Sequence, residues 1–105
     1  MNKDNFVNLQ SMATIANNEY LESKPVNKTQ LGLHINMRQE GTDADGVSID
    51  EPQADKRIMF LIYDNSPNQI SYTMLDATSQ SPTKTININN CSVTTIKNLI
   101  SDYFK

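Results

Sequence analysis

Residues 56–64 read KRIMFLIYD. From Ile58 to Tyr63 every side chain is apolar or aromatic, so a strand built from this run is apolar on both faces. The run is much shorter than the roughly 20 residues that a membrane-crossing helix needs. It is also bounded by charge, with Lys56 and Arg57 before it and Asp64 after it. A fold that accommodates such a strand must place it centrally in a sheet and cover at least one side. This requirement organises the rest of the chain.

Turn residues follow at once in Asn65-Ser66-Pro67-Asn68. Residues 69–76 then alternate, with Ile70, Tyr72 and Met74 against Ser71, Thr73 and Leu75. The short gap predicts an antiparallel hairpin with the 56–64 strand. Residues 78–82 are a polar loop, and 83–89 (TKTININ) predict a further strand with Ile86 and Ile88 alternating. Upstream, residues 31–38 alternate cleanly. Leu31, Leu33, Ile35 and Met37 share one face, and Gly32, His34, Asn36 and Arg38 share the other.

Two segments carry helical rather than strand periodicity. Between Asp4 and Glu22, Phe6, Leu9, Ala13, Ala16 and Tyr20 recur at steps of three and four, and Val7, Met12 and Ile15 broaden the stripe. Asp4 is the predicted N-cap, and Pro25 ends the helix by restricting the residue before it. Between Val93 and Tyr103, Val93, Ile96, Leu99, Ile100, Tyr103 and Phe104 form a second stripe. Ser92 or Asn90 is the predicted cap, and Lys97 and Lys105 favour the C-terminal half. The predicted architecture is one α+β domain over residues 1–105. It has a four-stranded antiparallel meander with the N-terminal and C-terminal helices on one face, in two layers.

The segment from 40 to 55 departs from this patterning. It holds Glu40, Asp43, Asp45, Asp50, Glu51 and Asp55 and no lysine or arginine, which is half of the 12 acidic residues in a chain of net charge −3. With Gly41, Gly46 and Pro52 it predicts a flexible acidic loop. These six residues are the candidate partner-binding site, steering toward a basic surface. A calcium loop does not fit. Placing Gly46 at the glycine position puts Gly41 and Pro52 where the end ligands must stand.

Other chemistry is sparse. His34 is the only histidine, and the alternation directs it outward with no local carboxylate or nucleophile beside it. Cys91 is the only cysteine, which excludes an internal disulfide and a cysteine-based zinc site. A thiol just before a helix can be activated, although a structural cysteine is the commoner case. The chain has three glycines and no phosphate-binding glycine loop or nucleophile elbow. It also has no basic stripe with interleaved aromatics of the kind that binds nucleic acid. The four tyrosines suit the edge of a core, with each hydroxyl meeting water or backbone. Two Asn-x-Ser/Thr triplets, at Asn27 and Asn90, are read as chance in the absence of an apolar leader.

These features predict a cytoplasmic, non-enzymatic protein-binding module without metal or cofactor. It would be an inhibitor, immunity or accessory protein of bacterial or phage type, acting by occupying a partner's surface. Neither membrane association nor direct nucleic-acid binding is expected. One alternative is an acidic mimic of nucleic acid that antagonises a nucleic-acid-binding enzyme. Another is a self-assembling component, including a homodimer formed through a sheet edge.

Overall fold

The computed structural model describes residues 3–26, 28–34 and 37–104. Asn27, Ile35, Asn36 and Lys105, which enter the expectations above, lie outside the described residues. The elements are α1 (Lys3–Glu22), β1 (Gln30–His34), β2 (Ala44–Glu51), β3 (Lys56–Tyr63), β4 (Gln69–Leu75), β5 (Lys84–Asn87), a 3-10 turn (Ile88–Asn90) and α2 (Val93–Tyr103).

The five strands form one antiparallel sheet in the order β1-β2-β3-β4-β5. The class is the predicted α+β meander, but it has five strands rather than four. The additional strand is β2, which occupies the middle of the segment read above as a flexible loop. It pairs along its whole length with β3, from Ala44 opposite Tyr63 to Glu51 opposite Lys56. Asp45-Gly46 therefore lies inside a strand. The reversal into β2 is made by residues 37–42, where Met37 O accepts from both Glu40 N and Thr42 N and Gly41 takes a positive φ of 93°. The turn from β2 to β3 spans 52–55 and ends on Asp55 in the left-handed region.

The 56–63 run stands third of five, the central place that its composition demands. Ile58, Phe60 and Ile62 are buried, together with Val47 and Ile49 on β2 and Ile70 on β4. By register these residues share one face of the sheet. The same cluster takes in Leu9, Ala13, Ala16 and Tyr20 of α1 and Ile96, Ile100 and Phe104 beside α2. The helix stripes thus bury where the 3.6-residue period places them. Val7 and Ile15 are exceptions. At 55% and 47% exposed, they lie outside the buried stripe they were expected to broaden.

Helix placement also differs in detail. α1 approaches β1 and β2, whereas α2 packs chiefly along α1. Asp4 lies within the first turn of α1 rather than capping it, because the helix begins a residue earlier. Ser92 caps α2 and forms a reciprocal box with Thr95. Lys97 reaches Glu19 of α1 at 3.5 Å and lies outside the last turn of its own helix. Two tyrosine hydroxyls meet backbone, as expected of a core edge. Tyr20 Oη donates to Phe104 O at 3.3 Å, and Tyr103 Oη donates to Leu75 O at 2.7 Å.

Candidate functional site

Alternation along each strand leaves one face of the sheet without a helix. By register it carries Gly32 and His34 on β1, Gly46, Ser48 and Asp50 on β2, and Arg57, Met59, Leu61 and Tyr63 on β3. β4 adds Ser71, Thr73 and Leu75. Met59, Leu61 and Leu75 are half-buried, and Tyr63 is 38% exposed.

His34 is held within this face rather than standing free of it. Its Nε2 lies 2.8 Å from Ser48 Oγ. Ser48 is fully buried despite facing away from the helices, because its neighbours close over it. Gly32 leaves room for this arrangement. A Cβ at that position would stand 2.8 Å from Ser48 Oγ and 2.9 Å from Asp50 Oδ2, so three polar groups converge where a side chain would otherwise be. Asp50 is engaged by Arg57, with Nε donating to Oδ1 at 2.6 Å. Burial pushes the His34 pKa below its ordinary value near 6.5, the Arg57 charge adds to that, and Asp50 opposes it.

The arrangement resembles a nucleophile and base only in its atom types. The hydroxyl is buried, and the nearby carboxylate is bonded to Arg57 instead of orienting the imidazole. The pair therefore cross-links β1 to β2. Its titration is readily observed because the chain has one histidine. The imidazole proton resonance of His34 is expected to titrate below pH 6.5. The neutral form is favoured in the fold, so this contribution to stability is complete above about pH 6.5 and is lost as pH falls toward the folded pKa. Urea denaturation from neutral to mildly acid pH checks the sign. His34→Gln should lack this component, and a midpoint rising on acidification through that window would contradict it.

The six acidic residues are not gathered in one loop. Glu40 and Asp43 occupy the exposed turn before β2, and Asp55 ends the turn after it. Asp45 and Asp50 lie within β2, five residues apart and so separated by roughly 17 Å. Arg38 clamps Asp45 and Asp64 together. Its Nη2 donates to Asp45 Oδ2 at 3.0 Å, and its Nη1 donates to Asp64 Oδ2 at 2.7 Å. The guanidinium holds the Asp64 carboxyl below its usual range. Glu51 is 1% exposed and faces the helices; its Oε2 accepts from Ala54 N and closes the turn, while Oε1 is buried with no partner among the described residues. Three of the six are thus committed to internal contacts, and Glu40, Asp43 and Asp55 remain at the surface.

A groove of about 500 Å³ opens at the Asp50 end of the sheet, lined by Gln30, Asp50, Asp55, Lys56, Arg57 and Asp76 among others. Both signs of charge line it. Asp76 is satisfied locally by Thr78 N and Ser79 N, and these bonds lower its pKa. Lys56 lies 5.2 Å from the centre of the Tyr103 ring. Among the described residues, no three His, Cys, Asp or Glu side chains are grouped to hold a metal ion. Burial pushes the Cys91 thiol pKa up, which is the opposite of activation.

No protein-family model, curated protein or solved structure matches this chain. No helix among the described residues is long and apolar enough to cross a membrane.

Sequence patterning put Gly32 and His34 on one face but did not bring Ser48 or Arg57 to it. The available signal was the alternation of Val47-Ser48-Ile49 between acidic neighbours. Once paired with β1, it sets Leu33 opposite Val47 and Gly32 opposite Ser48.

Proposed function

We propose that the protein is a small non-enzymatic binding module that engages a protein partner through the open face of its sheet, as an inhibitor, immunity or accessory protein does. The observation that carries this is the row of Met59, Leu61 and Tyr63 along β3. These are apolar and aromatic side chains on the face that neither helix covers, flanked by Ser71, Thr73 and Leu75 of β4. The Arg57–Asp50 ion pair and the hydroxyls of Ser71 and Thr73 border the row, whereas Asp45, opposite Ile62, belongs by register to the other face. An apolar centre inside a polar rim is the usual anatomy of a protein–protein contact. The burial of Ser48 favours binding over hydrolysis, because a hydroxyl sealed under its neighbours cannot reach a substrate.

The acidic residues take a narrower role than a single recognition loop would. Glu40, Asp43 and Asp55 are left to steer a basic partner, while Asp45, Asp50 and Glu51 hold β2 in place. Steering acts on the association rate and is screened by salt.

The test is affinity capture from the source organism, using the whole chain and a Met59→Ser/Leu61→Ser variant that leaves the helix-facing core untouched. A protein retained in stoichiometric amount by the wild type and lost by the variant is the expected result. Exchanging Glu40, Asp43 and Asp55 for amides should slow association at low salt and leave dissociation nearly unchanged. Retention of the same partner by the open-face variant would overturn the proposal.

A further inference from the structure

The two edges of the sheet are not alike. β5 is four residues long, follows Pro82 closely and exposes Lys84, features that discourage strand addition. β1, the opposite edge, is Gln30-Leu31-Gly32-Leu33-His34, with neither a formal charge nor a proline. Its only strand neighbour among the described residues is β2. Leu33 belongs by register to the helix-facing side of the sheet, opposite Val47, yet it is 51% exposed. The apolar side of the sheet therefore continues beyond what its own helices cover.

We propose that β1 pairs antiparallel with β1 of a second copy of this chain, about a two-fold axis at Gly32, joining the two sheets edge to edge. The choice of occupant follows from the sequence of the strand. An isologous interface must be self-complementary, each residue meeting its symmetry mate's counterpart. Leu31-Gly32-Leu33 is symmetric about Gly32, so this register sets Leu31 opposite Leu33 of the second copy, and Leu33 opposite its Leu31. Four leucines then line the seam on the helix side, covering the exposed part of Leu33. On the other side the two glycines face each other across the seam, and the His34–Ser48 and Asp50–Arg57 pairs stay undisturbed. Gln30 falls opposite His34 of the second copy, so the register opposes no like charges.

This inference does not rest on the open-face proposal, since the seam lies along an edge and uses none of Met59, Leu61 or Tyr63. Sedimentation equilibrium of the full chain from micromolar to millimolar concentration should show a monomer–dimer equilibrium. Leu33→Lys, at a position already half exposed, should weaken the dimer by at least about tenfold, because it sets an ammonium group in the seam. Val7→Lys, at the exposed side of α1, should leave it unchanged, as should Met59→Ser/Leu61→Ser. Hydrogen exchange supplies a second readout that does not depend on any variant folding, because the β1 amides that face outward should gain protection as concentration rises. A chain that stays monomeric throughout that range would overturn the inference. So would a dimer that survives Leu33→Lys, or one whose β1 amides exchange as fast as in the monomer.

Discussion

Phe60→Ala is expected to lower the melting temperature of the domain by about 12–40 °C. Phe60 is 1% exposed at the middle of the central strand, paired with Val47 on one side and Tyr72 on the other. Its ring lies 6.2 Å from that of Tyr72. Truncating a buried phenylalanine costs about 3–5 kcal/mol, combining lost transfer free energy with the cavity left behind. Domains of this size hold about 5–15 kcal/mol in total, and each kcal/mol moves the melting temperature by about 4–8 °C. Met59 is the internal control. It lies beside Phe60 in sequence but faces the helix-free side and is half-buried, so Met59→Ala should cost less than half as much. Urea denaturation of both variants gives the comparison. Equal losses would mean that the open face is packed as tightly as the core, which would also remove the exposed apolar row from consideration as a docking surface.

The central place of β3 was legible in the sequence, but which of its two faces the helices cover was not. A run apolar on both faces can only be central, and the helices declare their buried sides through steps of three and four. β3, β4 and α2 accordingly form close to where the pattern places them. β2 was not legible, for a physical reason. Its eight residues include Asp45, Gly46, Asp50 and Glu51, which on propensity disfavour a strand. Each of those acids is compensated by a group elsewhere in the chain: Asp45 by Arg38, Asp50 by Arg57, and one oxygen of Glu51 by Ala54 N. Local composition counts the charges, but it cannot see partners that only the folded register supplies. The same blindness hid Ser48 from the reading of His34. Fourteen residues separate them in the chain, and only pairing of β1 with β2 brings their side chains together. What patterning assigned to one acidic loop is therefore divided between two turns and the strand that joins them.

Glu51 provides the sharpest test of that division, because two substitutions at this one position should move stability in opposite directions. Its carboxyl group is buried on the helix side, with Oε2 engaged by Ala54 N and Oε1 unpartnered among the described residues. Burial of Glu51 near Tyr20 has an electrostatic signature, since its charge adds to the desolvation that raises the Tyr20 pKa. Glu51→Ala removes the acceptor that closes the turn and empties the space of the side chain, and should cost about 2–3 kcal/mol. Glu51→Gln keeps the shape and an oxygen for Ala54 N while replacing the unpartnered carboxyl oxygen with a neutral amide. Leaving a neutral polar group buried without a partner costs less than leaving a charge, so this variant should gain about 1 kcal/mol at neutral pH. Denaturation midpoints at matched slope decide it. If both variants lose stability alike, the buried carboxyl has a partner that compensates its charge. If both are neutral, Glu51 has no part in holding β2, and that role falls to Asp45 with Arg38 and Asp50 with Arg57 alone.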